Sequence, residues 1–267
     1  MLDITTLFCS VDDFWKTFKV HWYKNQIGHK SSRGPTSNLS MSEIMTIMIL
    51  FHQSNYRTFK HFYFSLLEKY RNFFPKLPSY PRFVAIQKTA FFPLFAYLHH
   101  CRGKVTGISF IDSTVIKVCN IKRSYSNKVF KNIAKKSKST MGWFFGFKLH
   151  LIVNEKGEIL SFQFTQGNVS DINPVKSLTK KLWGKLFGDK GYISSKLFNE
   201  LLLENIQLIT GLRSNMKNKL MDINDKILLR KRSIIETIND QLKNISQIEH
   251  SRHRSPSNFL INGTVES

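Results

Sequence analysis

Near Gly107 the apolar pattern of this chain changes period, and that change limits the fold more than any other feature. Before it, apolar residues recur at helical spacing. Phe8, Val11, Trp15, Phe18 and Trp22 predict a helix over 3–27. A polar Gly-Pro linker follows (HKSSRGPTSN, His29–Asn38). Ser40 with Glu43 three residues on forms a capping-box signature ahead of Ile44, Ile47, Met48 and Phe51. Helical pattern returns over 57–74. A turn rich in proline (Pro75, Pro78, Pro81) then leads to a last helix ending near Cys101.

After Gly107 the signal is β-branched and aromatic. ISFIDSTVIKV (Ile108–Val118) reads as a strand, and so does Phe144–Val153. The turn Asn154–Gly157 joins the latter to a third strand, Glu158–Thr165, as a hairpin. Next come a helix over 171–183, a short strand Leu186–Gly188, a helix Ser194–Glu204, a strand Gln207–Gly211 and a helix over 222–248. The expectation is therefore an all-helical module followed by an α/β layout.

Charge narrows the function. Forty Lys and Arg stand against 18 Asp and Glu, a formal charge of +22. Nucleic acid is the commonest partner of so positive a field, with an anionic membrane surface or RNA as the rival. From Lys69 to Asn154 there are sixteen basic residues and one acid, Asp112. Lys122, Arg123, Lys128, Lys131, Lys135, Lys136 and Lys138 lie in the acid-free stretch after it and are candidate DNA contacts. Tyr125, Phe130, Trp143, Phe144 and Phe145 are interleaved with them. They suit stacking on bases, although Trp143–Phe147 reads better as strand core. Cys9, Cys101 and Cys119 form no CxxC pair, so neither a disulfide framework nor a zinc knuckle is expected. His99-His100-Cys101 lacks a second ligand pair. No apolar run reaches the ~20 residues of a membrane span, and MLDITTLF has no basic region before its apolar residues. No membrane partner is expected, and the expected location is the cytoplasm.

Three carboxylates carry the chemistry. Asp112 interrupts an apolar strand, where an acid is costly unless paired or bound to a metal. Asp189 follows a strand, in GDKGY, at the kind of strand end where open α/β sheets bind ligands. Glu236 lies mid-helix. On a helical wheel Ile234, Ile238, Leu242 and Ile245 share one face, while Arg232, Glu236 and Lys243 share the other. Taken alone, Arg232 and Glu236 make an ordinary i,i+4 pair on an amphipathic helix. Taken together, three hard-oxygen donors suit Mg²⁺ or Mn²⁺, and two such ions can drive phosphodiester chemistry. Asp171 competes with Asp189 but reads as a helix cap with Ser170. Asp222 and Asp225 open the last helix, and Asp240 lies one turn past Glu236.

FIDST (Phe110–Thr114), GDKGY (Gly188–Tyr192) and Arg232, Glu236 and Lys243 in the pattern RxxxExxxxxxK resemble the DDE transposases of bacterial insertion sequences. ILFHQSNYRTFKHFY (Ile49–Tyr63) and SRHRSPSNFL (Ser251–Leu260) resemble the insertion-sequence family numbered nine-eight-two. The resemblance implies an RNase H-like mixed sheet flanked by helices. It also implies a catalytic and metal-binding triad of Asp112, Asp189 and Glu236 with two divalent cations. The implied reaction is cleavage at element ends and strand transfer into target DNA, with Arg232 and Lys243 contacting DNA. Partners would be double-stranded DNA, as terminal inverted repeats and target, and further copies of the chain, near the bacterial nucleoid.

The expected layout is a helical, DNA-binding or dimerising module over 1–104, a catalytic domain over 105–250 and a basic tail over 251–267. Two features depart from the family pattern. Leu229 stands where relatives have Tyr, and GTVES closes the chain where they continue into an apolar helix. The second reads as a frameshift or truncation. It gives the alternative expectation of a remnant that binds DNA without catalysis.

Overall fold

A computed structural model describes residues 3–25, 37–54, 56–212, 216 and 220–245. The chain divides into two compact units, with the boundary between Cys101 and Arg102.

The first unit is helical: α1 (Ile4–Asn25), α2 (Met41–Gln53), α3 (Phe59–Lys69), α4 (Tyr80–Ile86) and, after one 3₁₀ turn, α5 (Phe91–His100). The expected capping box is present. Ser40 Oγ accepts from the Glu43 amide at 3.1 Å, and the Ser40 amide donates to Glu43 Oε2 at 2.7 Å. The buried stripe of α1 is Leu7, Val11 and Phe14 with Trp15, one step round from the predicted one. Asp12 ties α1 to α2 by accepting from Ser42 Oγ at 2.7 Å. Phe51, Phe59, Phe62, Tyr63 and Phe83 build an aromatic core, and Tyr63 donates from beneath it to the Pro78 carbonyl at 2.7 Å.

The second unit contains β1 (Ile108–Cys119), β2 (Lys135–Ser139), β3 (Gly142–Asn154), β4 (Ile159–Gln166), α6 (Val175–Leu178), β5 (Gly184–Gly188), α7 (Ser195–Leu203), β6 (Ile206–Thr210), α8 (Ile223–Lys231) and α9 (Ser233–Asp240), with a π turn over Gln241–Ile245. β1 lies between β3, antiparallel to it, and β5, parallel to it; β6 continues parallel beyond β5. β1 pairs with one edge of β3. The other edge is shared end to end by β2, over Gly142–Gly146, and β4, over Phe147–Val153. The protein is thus mixed α/β, with a helical region before a mixed sheet.

The two sheet faces are both apolar, as the runs in β1 and β3 require. Ile111, Ile152, Leu186 and Leu208 pack with Val175 and Leu178 of α6 and Leu197 and Leu201 of α7. On the reverse, Phe110, Leu149, Leu151, Val153 and Phe187 are fully buried on the side where α8 and α9 lie. The β3–β4 turn is held by Asn154, whose Oδ1 accepts from the Lys156 and Glu158 amides at 3.0 and 2.9 Å.

Three expectations need correction, and one strand is added to them. The helix over 171–183 shrinks to α6, whose N-cap is Pro174; Ser170 and Asp171 do not cap it. A strand absent from the sequence reading lies in the basic stretch, where KKSKS forms β2 by pairing with β3. Trp143 is not core but 62% exposed, although Phe144 and Phe145 are buried. The last helix is not continuous: it turns at Arg232 and passes into the π turn at Gln241. Residues 246–267, which include SRHRSPSNFL and GTVES, lie outside the described residues. Among the described residues no helix is long and apolar enough to cross a membrane, and Cys9, Cys101 and Cys119 form no disulfide.

Candidate active site

The site starts from the register of two parallel strands. Phe110 on β1 pairs with Phe187 on β5, and their rings lie 5.7 Å apart on one face. Side chains alternate along a strand, so two residues further on the same face continues with Asp112 on β1 and Asp189 just past β5. Asp189 keeps an extended backbone (φ −72°, ψ 168°), and its Oδ1 accepts from the Lys190 amide at 2.6 Å. Gly188 precedes it because a Cβ there would press on Tyr192 and Ile111, 3.1–3.2 Å away.

α9 crosses β1 and β3 on this face. Its buried residues are Ile235 and Asn239, with Leu242 in the π turn. Ile234 and Ile238, predicted as the buried face, border this stripe beside Gly157 of the β3–β4 turn. Glu236 therefore sits at the edge of the buried face, one residue from Ile235, not opposite it. Asn239 donates from Nδ2 to Asp112 Oδ2 at 3.0 Å, a bond across 127 residues of sequence. It fixes the Glu236 helix against the strand that carries Asp112. Asn239 was not singled out in the sequence. Its signal was an amide one turn past Glu236 on the side of Ile235.

Charge completes the picture. Burial pushes the Asp112 carboxyl up to about 6. Within that net shift a backbone hydrogen bond at Ser113 and the Arg232 guanidinium pull it down, while Glu236 and Asp189 add to the rise. The three acids therefore share one electrostatic neighbourhood. They do not form a ready ligand cage: among the described residues no group of three or more His, Cys, Asp or Glu is arranged to hold a metal ion. Glu236 is exposed and turns to Arg232, Nη2 to Oε1 at 2.7 Å. Like charges repel, so a carboxylate free to move pairs with the nearest cation. The donor chemistry nevertheless fits a hard divalent cation. Asp112 and Asp189 are aligned, their repulsion is what such an ion relieves, and Asn239 Oδ1 is buried with no hydrogen-bond partner among the described residues.

The other candidates fall into place around this. Asp171 accepts from Lys148 Nζ at 3.0 Å and lies 4.0 Å from His150 Nδ1. Lys148 and His150 alternate with Leu149 and Leu151, and Leu151 pairs with Asp112, so Asp171 belongs to the opposite face of the sheet. Asp222 caps α8 by accepting from the Asn224 amide at 2.7 Å, and Asp225 joins α8 to β5 through Lys185 Nζ at 2.6 Å. Lys243 lies in the π turn, so its bearing relative to Glu236 does not follow the predicted wheel. Lys122, Arg123, Lys128, Lys131, Lys135, Lys136 and Lys138 are all exposed.

Residues 102–256, more than half of the chain, match the family model described as Transposase DDE domain. Among solved structures, the cryo-EM structure of piggyBac transposase in a synaptic complex with hairpin DNA is similar with a TM-score of 0.50 and 9% identity, covering 100% of this chain and 73% of that one. At that identity the likeness is one of fold. No curated protein matches the chain.

Proposed function

Since the chain belongs to the DDE-domain transposase family, we propose that it cleaves DNA at the ends of an insertion sequence, of the type numbered nine-eight-two, and joins those ends to target DNA. In this reading the sheet is RNase H-like and Asp112, Asp189 and Glu236 are the catalytic carboxylates. They would hold two divalent cations, Mg²⁺ or Mn²⁺. Bound there, such a pair would supply Lewis-acid activation of the attacking oxygen and charge stabilisation at the leaving oxygen.

The chain's own groups have distinct tasks. Asp112 and Asp189 provide fixed negative charge on neighbouring strands. Glu236, exposed on α9 and paired with Arg232, would be the third carboxylate to hold the cations. Arg232 would contact a phosphate, for which a guanidinium fork is well matched. Asn239 holds the helix in register with Asp112. The exposed lysines after β1 contact the DNA backbone, and the helical unit binds the terminal repeats. Copies of the chain pair on the two element ends.

The observation that supports this most is the 3.0 Å bond from Asn239 to Asp112, because it draws a late helix and an early strand into one site. The test is cleavage of a labelled duplex carrying the inverted repeats that flank the gene, with Mg²⁺. Asp112→Asn, Asp189→Asn and Glu236→Gln should each lose about 100-fold or more in cleavage, the scale of removing one contact made in the transition state, and still bind the duplex. Asp171→Asn should cleave normally. If Asp189→Asn cleaves and Asp171→Asn does not, the assignment of the second acid is wrong.

A further inference from the structure

Beyond the sheet proper, β2 and the start of β3 form a ribbon of two strands. β1 and β4 pair with β3 from Phe145 and Phe147 onward, so Gly142–Phe144 pairs with β2 alone. The ribbon closes through Thr140 and Met141, with the Met141 amide donating to Ser139 Oγ at 3.3 Å. Gly142 follows at φ +106°, a value that side-chain-bearing residues rarely adopt.

The composition of one ribbon face is unusual for solvent. Lys136 and Lys138 share it by alternation, and Lys138 pairs across the ribbon with Trp143. Lys136 reaches sideways to Tyr125, its Nζ 3.5 Å from the ring centre. Tyr125 is 87% exposed, Trp143 62% and Met141, at the tip, 89%. Two aromatic rings, each beside a lysine, are thus left open, Trp143 on the ribbon and Tyr125 in the turn that precedes it. A purely phosphate-binding ribbon explains the lysines and leaves the open rings and the tip methionine unexplained. Rings flanked by ammonium groups match a nucleic-acid strand whose bases are unstacked: the rings stack on bases while the lysines meet the phosphates between them.

We infer that this ribbon and the adjoining Tyr125 engage unpaired bases of DNA, Trp143 and Tyr125 stacking on them and Met141 acting as a wedge at the edge of the duplex. The inference rests on the DNA reading above and deepens it: the substrate is a junction where a few bases are unpaired, not a plain duplex. The acids on the catalytic face play no part in it.

The test is equilibrium binding of the full chain, without divalent metal, to three DNAs of one sequence. One is fully paired, one carries a short unpaired stretch and one is single-stranded. A fluorescent adenine analogue placed in the unpaired stretch reports stacking. Wild type should prefer the DNA with the unpaired stretch by roughly tenfold, the scale of one base–aromatic stack, and quench the analogue. Trp143→Ala should lose the preference and the quenching while keeping its affinity for the paired duplex. Trp143→Phe should restore both. Trp143 is exposed, so unfolding is not expected, and an unchanged thermal transition would verify this. Duplex binding by wild type with no preference for unpaired bases would overturn this inference and leave the DNA reading standing. Retained preference in both Trp143→Ala and Tyr125→Ala would also overturn it. Absence of binding to every DNA would overturn both readings.

Discussion

At the residue scale the protein is organised around Asp112. An acid in the middle of an apolar strand is tolerated because an amide donates to it and a guanidinium lies near. Its carboxyl is still pushed up to about 6, first by burial and then by Glu236 and Asp189. The sign of the consequence follows. The folded chain holds this proton more tightly than the unfolded one, whose carboxyl titrates at 3.8. Without a cation, stability therefore falls as pH rises from about 4 to about 6 and stays lower above that. In the proposed metal site a divalent cation would have to displace this proton, so it would bind better above pH 6. We expect Mn²⁺ to raise the melting temperature clearly at about pH 7.5 and little at about pH 5. Asp112→Asn should melt higher than wild type at the upper pH without metal and lose most of the response to Mn²⁺. An equal Mn²⁺ shift in Asp112→Asn and wild type would remove Asp112 from the metal site.

At the element scale, α9 is what delivers Glu236, and its hold on the sheet is Ile235. That side chain is fully buried. Ile235→Ala should cost about 2–5 kcal/mol, as truncations of buried aliphatic residues do, while Ile234→Ala should cost less. Denaturant titration of both variants checks this, and a larger loss for Ile234→Ala would return the helix to the orientation predicted from sequence. That orientation failed for a reason a wheel cannot see. It ranks faces by hydrophobicity, and Asn239 is buried because Asp112 needs its amide. The same limit hid β2: KKSKS has no apolar alternation and becomes a strand only through the β3 edge. The shortened α6 follows from Asn173-Pro174 beside an Asp171 drawn to Lys148. What was legible was whatever local chemistry fixes: the capping box at Ser40 and Glu43, the Asn154 turn, the β-branched run of β1 and the acid after β5. The register that sets Asp189 beside Asp112 is a long-range pairing, and the sequence alone does not contain it.

At the scale of the molecule, positive charge dominates. In the proposed function the exposed lysines after β1 contact DNA, so affinity would depend on counterion release. Affinity for a plain duplex should fall linearly on a log–log plot of binding constant against salt, with a slope near −0.9 per phosphate contacted. Replacing Lys128, Lys131 and Lys135 together by Ala should flatten that slope by about 3; an unchanged slope would take the segment off the DNA surface. The claim on which all else depends is that three acids far apart in sequence act as one metal site, and it can be tested without DNA. Fe²⁺ in place of Mg²⁺, with ascorbate and peroxide, generates radicals that cut the polypeptide next to the bound ion. Mass mapping of the fragments should show cuts clustered at residues near 112, 189 and 236, suppressed by excess Mg²⁺ and absent from Asp112→Asn. Cuts confined to one of these segments, or located elsewhere and indifferent to Mg²⁺, would contradict it.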